Sequence, residues 1–240
     1  MQAKLEHQHR VLSLAEIDLK TASLNQKAKT LPEIQTHKEL VIEFETTRDL
    51  RIAAETELSD LSGEINRSET DVEQVVKRIE KDEARLNAGQ GTPKELEQMQ
   101  HELISLNARR SELEEIELEV MVRAEGIKDR ISELKDKEND LAIKVAEAAV
   151  LKDAALAEID KELKITTSKR QEILPLIEKA LIDLYEKIRS NGGVGAAKLA
   201  NGQCGGCNLT INAGDLSKLL ALPEDEIARC EECRCILVRK

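Results

Sequence analysis

The chain of 240 residues holds 126 Ala, Glu, Leu, Lys and Arg, two aromatic residues (Phe44 and Tyr185) and no Trp. That composition at helical spacing belongs to long helices and coiled coils. It excludes an ordinary enzyme core, which carries many more large rings, and a sheet-rich main body. The formal charge is −11, from 36 basic and 47 acidic residues. Residues 191–240 are balanced at six of each, so the excess falls on residues 1–190, a poor surface for a phosphate backbone.

The N-terminal MQAKLEHQHRVLSLAEIDLK lacks the apolar run of a secretory signal, and no stretch of the chain suits a bilayer span. The expectation is a cytoplasmic protein with no membrane contact. A first helix is predicted at about residues 3–29. It ends at Thr30-Leu31-Pro32-Glu33, which reads as a capping box opening the next helix. From there apolar residues recur every seven positions at Leu58, Ile65, Val72, Ile79 and Leu86. Leu61 and Val75 fill the companion seam, which Ser68 and Asp82 interrupt. After NAGQGTPKELEQM the register resumes at Met99, Leu106, Leu113, Val120, Ile127, Leu134 and Leu141. Gly89 and Gly91 stop the first array. Thr92, Pro93 and Glu95 restart the second as Ncap, N1 and box partner.

The two arrays therefore form the arms of an antiparallel hairpin, about 33–87 and 93–165, the first roughly 80 Å long at the α-helical rise. One continuous helix in a parallel dimer is the rival reading, disfavoured by the Gly-Gln-Gly-Thr-Pro loop. A further amphipathic helix is predicted over 171–190, ended by Asn191-Gly192-Gly193. The domains are then a helical hairpin, 1–190, and a linker with a small module, 191–240. The overall class is mainly α.

All five cysteines lie in the small module, as Cys204-Gly-Gly-Cys207, 22 intervening residues, then Cys230-Glu-Glu-Cys233 and Cys235. Two C-x-x-C turns at such a separation point to a four-cysteine zinc ribbon. Each turn faces two thiolates toward one cation, and two turns complete a tetrahedron. Cys204, Cys207, Cys230 and Cys233 are the predicted ligands of one structural Zn2+, although the same thiolates also accept iron. Four protein ligands leave no open position for catalysis. Cys235 is an alternative fourth ligand, but C-x-x-C symmetry selects Cys233 and leaves Cys235 a spare thiol. Short strands are predicted at Leu209 and Ile211 and at Ile236 and Val238, with a helical turn within Gly214–Leu220.

With the G-T-P-K-E-L restart at Gly91 to Leu96, the NGGVGAAKL linker and the NGQCGGCNLTI…RCEECRCILV ending, the sequence resembles the bacterial C4-type zinc-ribbon, coiled-coil proteins, most closely their actinobacterial branch. Arg234 and Cys235 depart from the C-x-x-C-G-R ending common there. The resemblance maps the family's metal cysteines onto Cys204, Cys207, Cys230 and Cys233. It implies no catalysis, and it implies nucleic-acid binding or adaptor and chaperone-like roles in motility, secretion and sigma-factor pathways.

No nucleophile, base and orienter arrangement is present. His7, His9, His37 and His101 read as solvated helix residues, and Tyr185 as packing at the hairpin base. The leading expectation is a non-enzymatic adaptor that docks protein partners. The alternative is a nucleic-acid module using Lys198, Lys218, Arg229, Arg234, Arg239 and Lys240, weakened by the lack of aromatic stacking platforms. A third reading, zinc release on oxidation through Cys235, is weaker still.

Overall fold

The computed structural model describes residues 1–239. It contains helices α1 (Leu5–Lys29), α2 (Pro32–Asn87), α3 (Pro93–Ile173), α4 (Lys179–Ser190) and α5 (Ala213–Ala221). Four short strands accompany them: β1 (Ala196–Ala200), β2 (Gln203–Cys204), β3 (Ala228–Arg229) and β4 (Ile236–Val238). Two compact units result. A hairpin unit comprises Thr36–Ala149, and a terminal unit joins Met1–Gln35 to the chain from Val150 onward.

In the hairpin unit α2 and α3 pair through a narrow apolar seam. Ala54, Leu61 and Ile79 of α2 are buried, as are Met99, Leu103, Leu113, Ala124, Ile131 and Leu141 of α3. Ion pairs between the arms fix the antiparallel register: Arg51 to Glu138 at 2.5 Å, Lys135 to Glu55 at 3.3 Å and Arg78 to Glu102 at 3.0 Å. The polar interruptions predicted at Ser68 and Asp82 are real. The Asp82 carboxylate is buried in the seam and accepts from Arg78 Nε at 2.7 Å, while the Ser68 hydroxyl is buried with no partner.

The loop follows its chemistry. Gly89 and Gly91 have φ of 60° and 151°, a region that glycine adopts without strain. Thr92 and Glu95 form the reciprocal box, with Thr92 N donating to Glu95 Oε2 at 2.7 Å and Glu95 N to Thr92 Oγ1 at 3.4 Å. The Thr92 amide, and then the Thr92 hydroxyl, donate to the Glu95 carboxylate and lower its pKa.

The box predicted at Thr30 does not form. Its hydroxyl donates back to the Gln26 carbonyl at 3.0 Å, closing α1 instead of opening α2, and Glu33 Oε2 is left buried without a partner. Three other bounds also shift. α1 starts at Leu5 rather than residue 3, because Met1 to Ala3 are drawn into extended pairing: Ala3 N donates to Asp225 O at 2.7 Å and Ile227 N to Met1 O at 3.0 Å. α3 runs to Ile173, not to about 165, since nothing before Pro175 interrupts its amide ladder. Pro175 then forces a short 3-10 turn, Leu174–Leu176, so that α4 begins at Lys179 rather than 171.

The terminal unit has its own core of Val11, Leu14 and Ala15 from α1, Leu181, Tyr185 and Ile188 from α4, and Ala196, Ile227 and Ile236 from the cysteine-bearing module. Tyr185 is fully buried, and its hydroxyl donates to Asp18 Oδ2 at 2.8 Å. Asp18, itself buried, also meets Arg189 NH1 and Arg170 Nε, both at 2.8 Å. Burial first, and then the bond to Asp18, push the Tyr185 phenol far above its ordinary range.

The strands form one sheet in the order β2-β1-β4-β3, with β1 parallel to β4 and the outer pairs antiparallel. Two sequence expectations are corrected here. AAKLA, read as linker, is β1, one of the two inner strands, with Ala196 and Ala197 buried. Leu209 and Ile211 do not form a strand: Thr210 makes a single bridge to Gln203, and Leu209 is exposed. The predicted helical turn is α5, capped by Asn212, which accepts from Asp215 N at 2.9 Å.

A Cβ at Gly195 would lie 2.2 Å from the Tyr185 ring, whereas one at Gly63 in mid-α2 meets nothing within 4 Å. Gly195→Ala is therefore expected to destabilise the terminal unit by about 1–3 kcal/mol through overpacking. Gly63→Ala should stabilise α2 by about 1 kcal/mol. Tyr185 is the only Tyr and there is no Trp, so its fluorescence follows the terminal unit during guanidinium unfolding. A tyrosine transition unmoved by Gly195→Ala would contradict this packing.

Candidate metal centre

The site is built from two turns that repeat one backbone design. In the first, Asn208 N donates to Cys204 O at 2.7 Å; in the second, Arg234 N donates to Cys230 O at 3.0 Å. Each turn is closed by a residue in the left-handed region, Asn208 at φ 60° and Arg234 at φ 61°. Asparagine tolerates that conformation. Arginine there costs roughly 1–2 kcal/mol relative to glycine.

Gly205 and Gly206 serve close approach rather than φ. A Cβ on Gly205 would stand 2.9 Å from Lys198 O, and one on Gly206 would stand 3.0 Å from Cys235 Sγ. The bare backbone lets Gly206 N reach Cys204 Sγ at 3.4 Å. Strand β1 locks the first turn, since Gly205 N donates to Lys198 O at 3.0 Å. Cys235, the residue before β4, locks the second turn, since Cys230 N donates to its carbonyl at 3.1 Å.

The four sulfurs of Cys204, Cys207, Cys230 and Cys233 all lie within 4.8 Å of one another. Cys204 and Cys233 are 3.7 Å apart, and Cys207 and Cys230 3.9 Å. A tetrahedral zinc with Zn–S bonds of about 2.3 Å requires sulfur–sulfur edges of about 3.8 Å. The donor set and its spacing fit that ion.

Burial opposes ionisation of Cys204, but the Cys207 and Gly206 amides, together with neighbouring thiols, outweigh it and bring this sulfur to about 7. Burial dominates at Cys230 and pushes it up to about 12. Of these two, Cys204 is thus the readier to meet a cation as thiolate.

Cys235 is placed differently. It is fully buried, 3.5 Å from Cys204 Sγ, and lies outside the group of four. Burial raises its thiol, which then donates toward Cys204. It is a supporting neighbour of the cluster rather than a spare side chain.

The six candidate cations are dispersed. Arg239 has its guanidinium committed to four carbonyls, those of Leu219, Leu222, Pro223 and Glu226, at 2.6–2.8 Å. Lys218 pairs with Asp215 at 2.9 Å, Lys198 is exposed on β1, and Lys240 lies outside the described residues. Only Arg229 and Arg234 come together, beside the second turn. His7 accepts the Glu178 amide at 3.2 Å, just ahead of the first residue of α4.

Sequence reasoning missed three features: Arg234's conformation, the pairing of the first residues with the ribbon, and the Asp18 cluster. For the last a signal existed. Asp18 continues the α1 stripe of Val11, Leu14 and Ala15, where an unpaired acid would be untenable.

Charge is also more sharply divided than the sequence suggests. The hairpin unit holds 29 acidic and 17 basic residues, net −12, and the rest of the chain holds 18 and 19. Among the described residues no helix is long and apolar enough to cross a membrane.

Comparison with known proteins places this geometry. Residues 14–193 match the model of the CT398-like coiled coil hairpin domain, and residues 203–237 that of the C4-type zinc ribbon domain. The Mycobacterium tuberculosis protein Rv2229c, described as uncharacterized, is 35% identical over all of this chain and 98% of its own. A solved structure from Mycobacterium smegmatis superposes with a TM-score of 0.89 at 32% identity, covering both chains fully. CT398 from Chlamydia trachomatis shares the fold, with a TM-score of 0.80 at 19% identity over 98% of each chain. The chain therefore belongs to the CT398-like coiled-coil hairpin family, in the form that ends in a C4-type zinc ribbon.

Proposed function

We propose that the protein is a non-enzymatic zinc-binding adaptor that docks protein partners. Cys204, Cys207, Cys230 and Cys233 hold one zinc ion, which supplies a closed four-thiolate knot for a ribbon too small to fold on apolar burial alone. The observation that carries the adaptor reading is the concentration of net −12 on the hairpin unit. Its outer surface repels phosphate, yet Ile104, Leu118 and Val122 stand 63–72% exposed on α3. An acidic helix with bare aliphatic residues suits the faces of other proteins. The nucleic-acid alternative rests on Arg229 and Arg234 beside the second turn, with no aromatic surface to stack bases.

Native protein should contain one zinc per chain by elemental analysis. Cys204→Ser and Cys233→Ser should fall well below one, and Cys235→Ser should remain near one. Equal loss in Cys233→Ser and Cys235→Ser would remove the assignment of the fourth ligand. Where zinc is lost, far-UV circular dichroism should keep most of its helical signal, because α2 and α3 do not depend on the ion.

The adaptor reading is tested by affinity capture from a nuclease-treated lysate of a mycobacterial or related host. A defined protein should be retained stoichiometrically. Retention of RNA or DNA alone, with binding that collapses as salt rises, would instead establish the nucleic-acid reading.

A further inference from the structure

Beside the second cysteine turn lies a recess of roughly 340 Å³, walled by Leu184, Lys187 and Ile188 of α4, by Arg229 of β3 and by Cys233 and Arg234 of the turn. Three cations line it and no carboxylate does. Among the described residues none of the three cations forms an ion pair. The acidic residues of the same turn, Glu231 and Glu232, line a separate recess with Asp215 and Leu209. The turn thus segregates its charges, basic on the α4 flank and acidic on the other.

Arg234 is held in the left-handed region at φ 61°, at the position equivalent to Asn208 in the first turn. Its backbone is braced there by Arg229, whose Nε and NH2 donate to the Arg234 carbonyl at 3.1 and 3.0 Å. A glycine would make the same turn without strain. An unfavourable conformation that is maintained and braced points to a use for the side chain.

We propose that this recess is a docking site for an acidic, leucine-bearing segment of a protein partner; the proposal rests on the adaptor reading and names the partner's chemistry. Carboxylates on the segment meet Lys187, Arg229 and Arg234, and an aliphatic side chain lies against Leu184 and the edge of Ile188. Charge complementarity selects the acidic partner. The aliphatic lining, without any ring on which a base would stack, selects protein over nucleic acid.

The test uses the full-length protein and a labelled 16-residue helical peptide with leucines along one face and glutamates flanking them. Comparison probes are a peptide with serines for leucines and a single-stranded polyuridine of matched charge, all titrated by fluorescence anisotropy. Arg234→Gly and Lys187→Glu should each weaken the acidic-leucine peptide at least about tenfold. Lys198→Glu, an exposed change outside the recess, should leave it within about twofold. Arg234→Gly should keep full zinc content and an unfolding midpoint no lower than the wild type, so its loss of binding is not a loss of fold.

Absence of measurable binding, equal binding by Arg234→Gly, or polyuridine binding as tightly through the same residues would overturn the proposal. So would undiminished capture, by Arg234→Gly, of the protein partner recovered from nuclease-treated lysate. That last result leaves the adaptor reading standing, and the two failures are thereby separable.

Discussion

The terminal unit depends on one buried carboxylate. Asp18 sits on the apolar face of α1, accepts from Tyr185 of α4 and meets guanidinium groups from α3 and α4. A carboxylate in that position is tenable only when paired and hydrogen-bonded, so its partners hold three helices to one another. Tyr185 carries the constraint onward, because its ring lies against Gly195 so closely that no side chain fits there. Gly195 leads directly into β1, the strand on which the first cysteine turn is hung. Helix packing and metal-site geometry are therefore linked through the only tyrosine of the chain.

The hairpin unit obeys a different rule. Its seam is one narrow stripe, and a regular heptad leaves register under-determined because any seven-residue slip restores the pattern. Ion pairs across the arms resolve this: Arg51 with Glu138, Lys135 with Glu55 and Arg78 with Glu102 would all be lost in a slipped pairing. Arg78 also holds the buried Asp82 of its own helix, so that carboxylate stays paired within α2. Specificity here comes from the charged residues that flank the apolar stripe. The excess negative charge then sits on a scaffold whose fold does not rely on the ribbon's thiolates.

Much of this was legible in the sequence. Heptads, the Gly-Thr-Pro restart and the C-x-x-C spacing identify the hairpin and the four neighbouring sulfurs because each is a local pattern with one dominant physical cause. What stayed hidden was decided by contacts distant in the chain. The Thr30 box looks like the Thr92 box, yet its hydroxyl found a carbonyl in the preceding turn. AAKLA carries little strand propensity and becomes an inner strand because β2 and β4 both pair with it. The first residues look like the start of a helix until Asp225 and Ile227 offer them backbone partners.

Arg234 has a competing explanation, as a counter-ion for the zinc site, which would carry net −2 with four thiolates. The geometry argues against it. Arg229 directs its donors to the Arg234 carbonyl rather than to sulfur, and the first turn closes with neutral Asn208 although it would face the same ion. Charge compensation would also be served by a cation at any neighbouring position with ordinary φ, without strain in the turn. What the left-handed position provides is placement of the Arg234 side chain within a recess shared with Lys187 and two aliphatic residues of α4. The departure from glycine is thus better explained by what that side chain faces than by the cysteine cluster it adjoins.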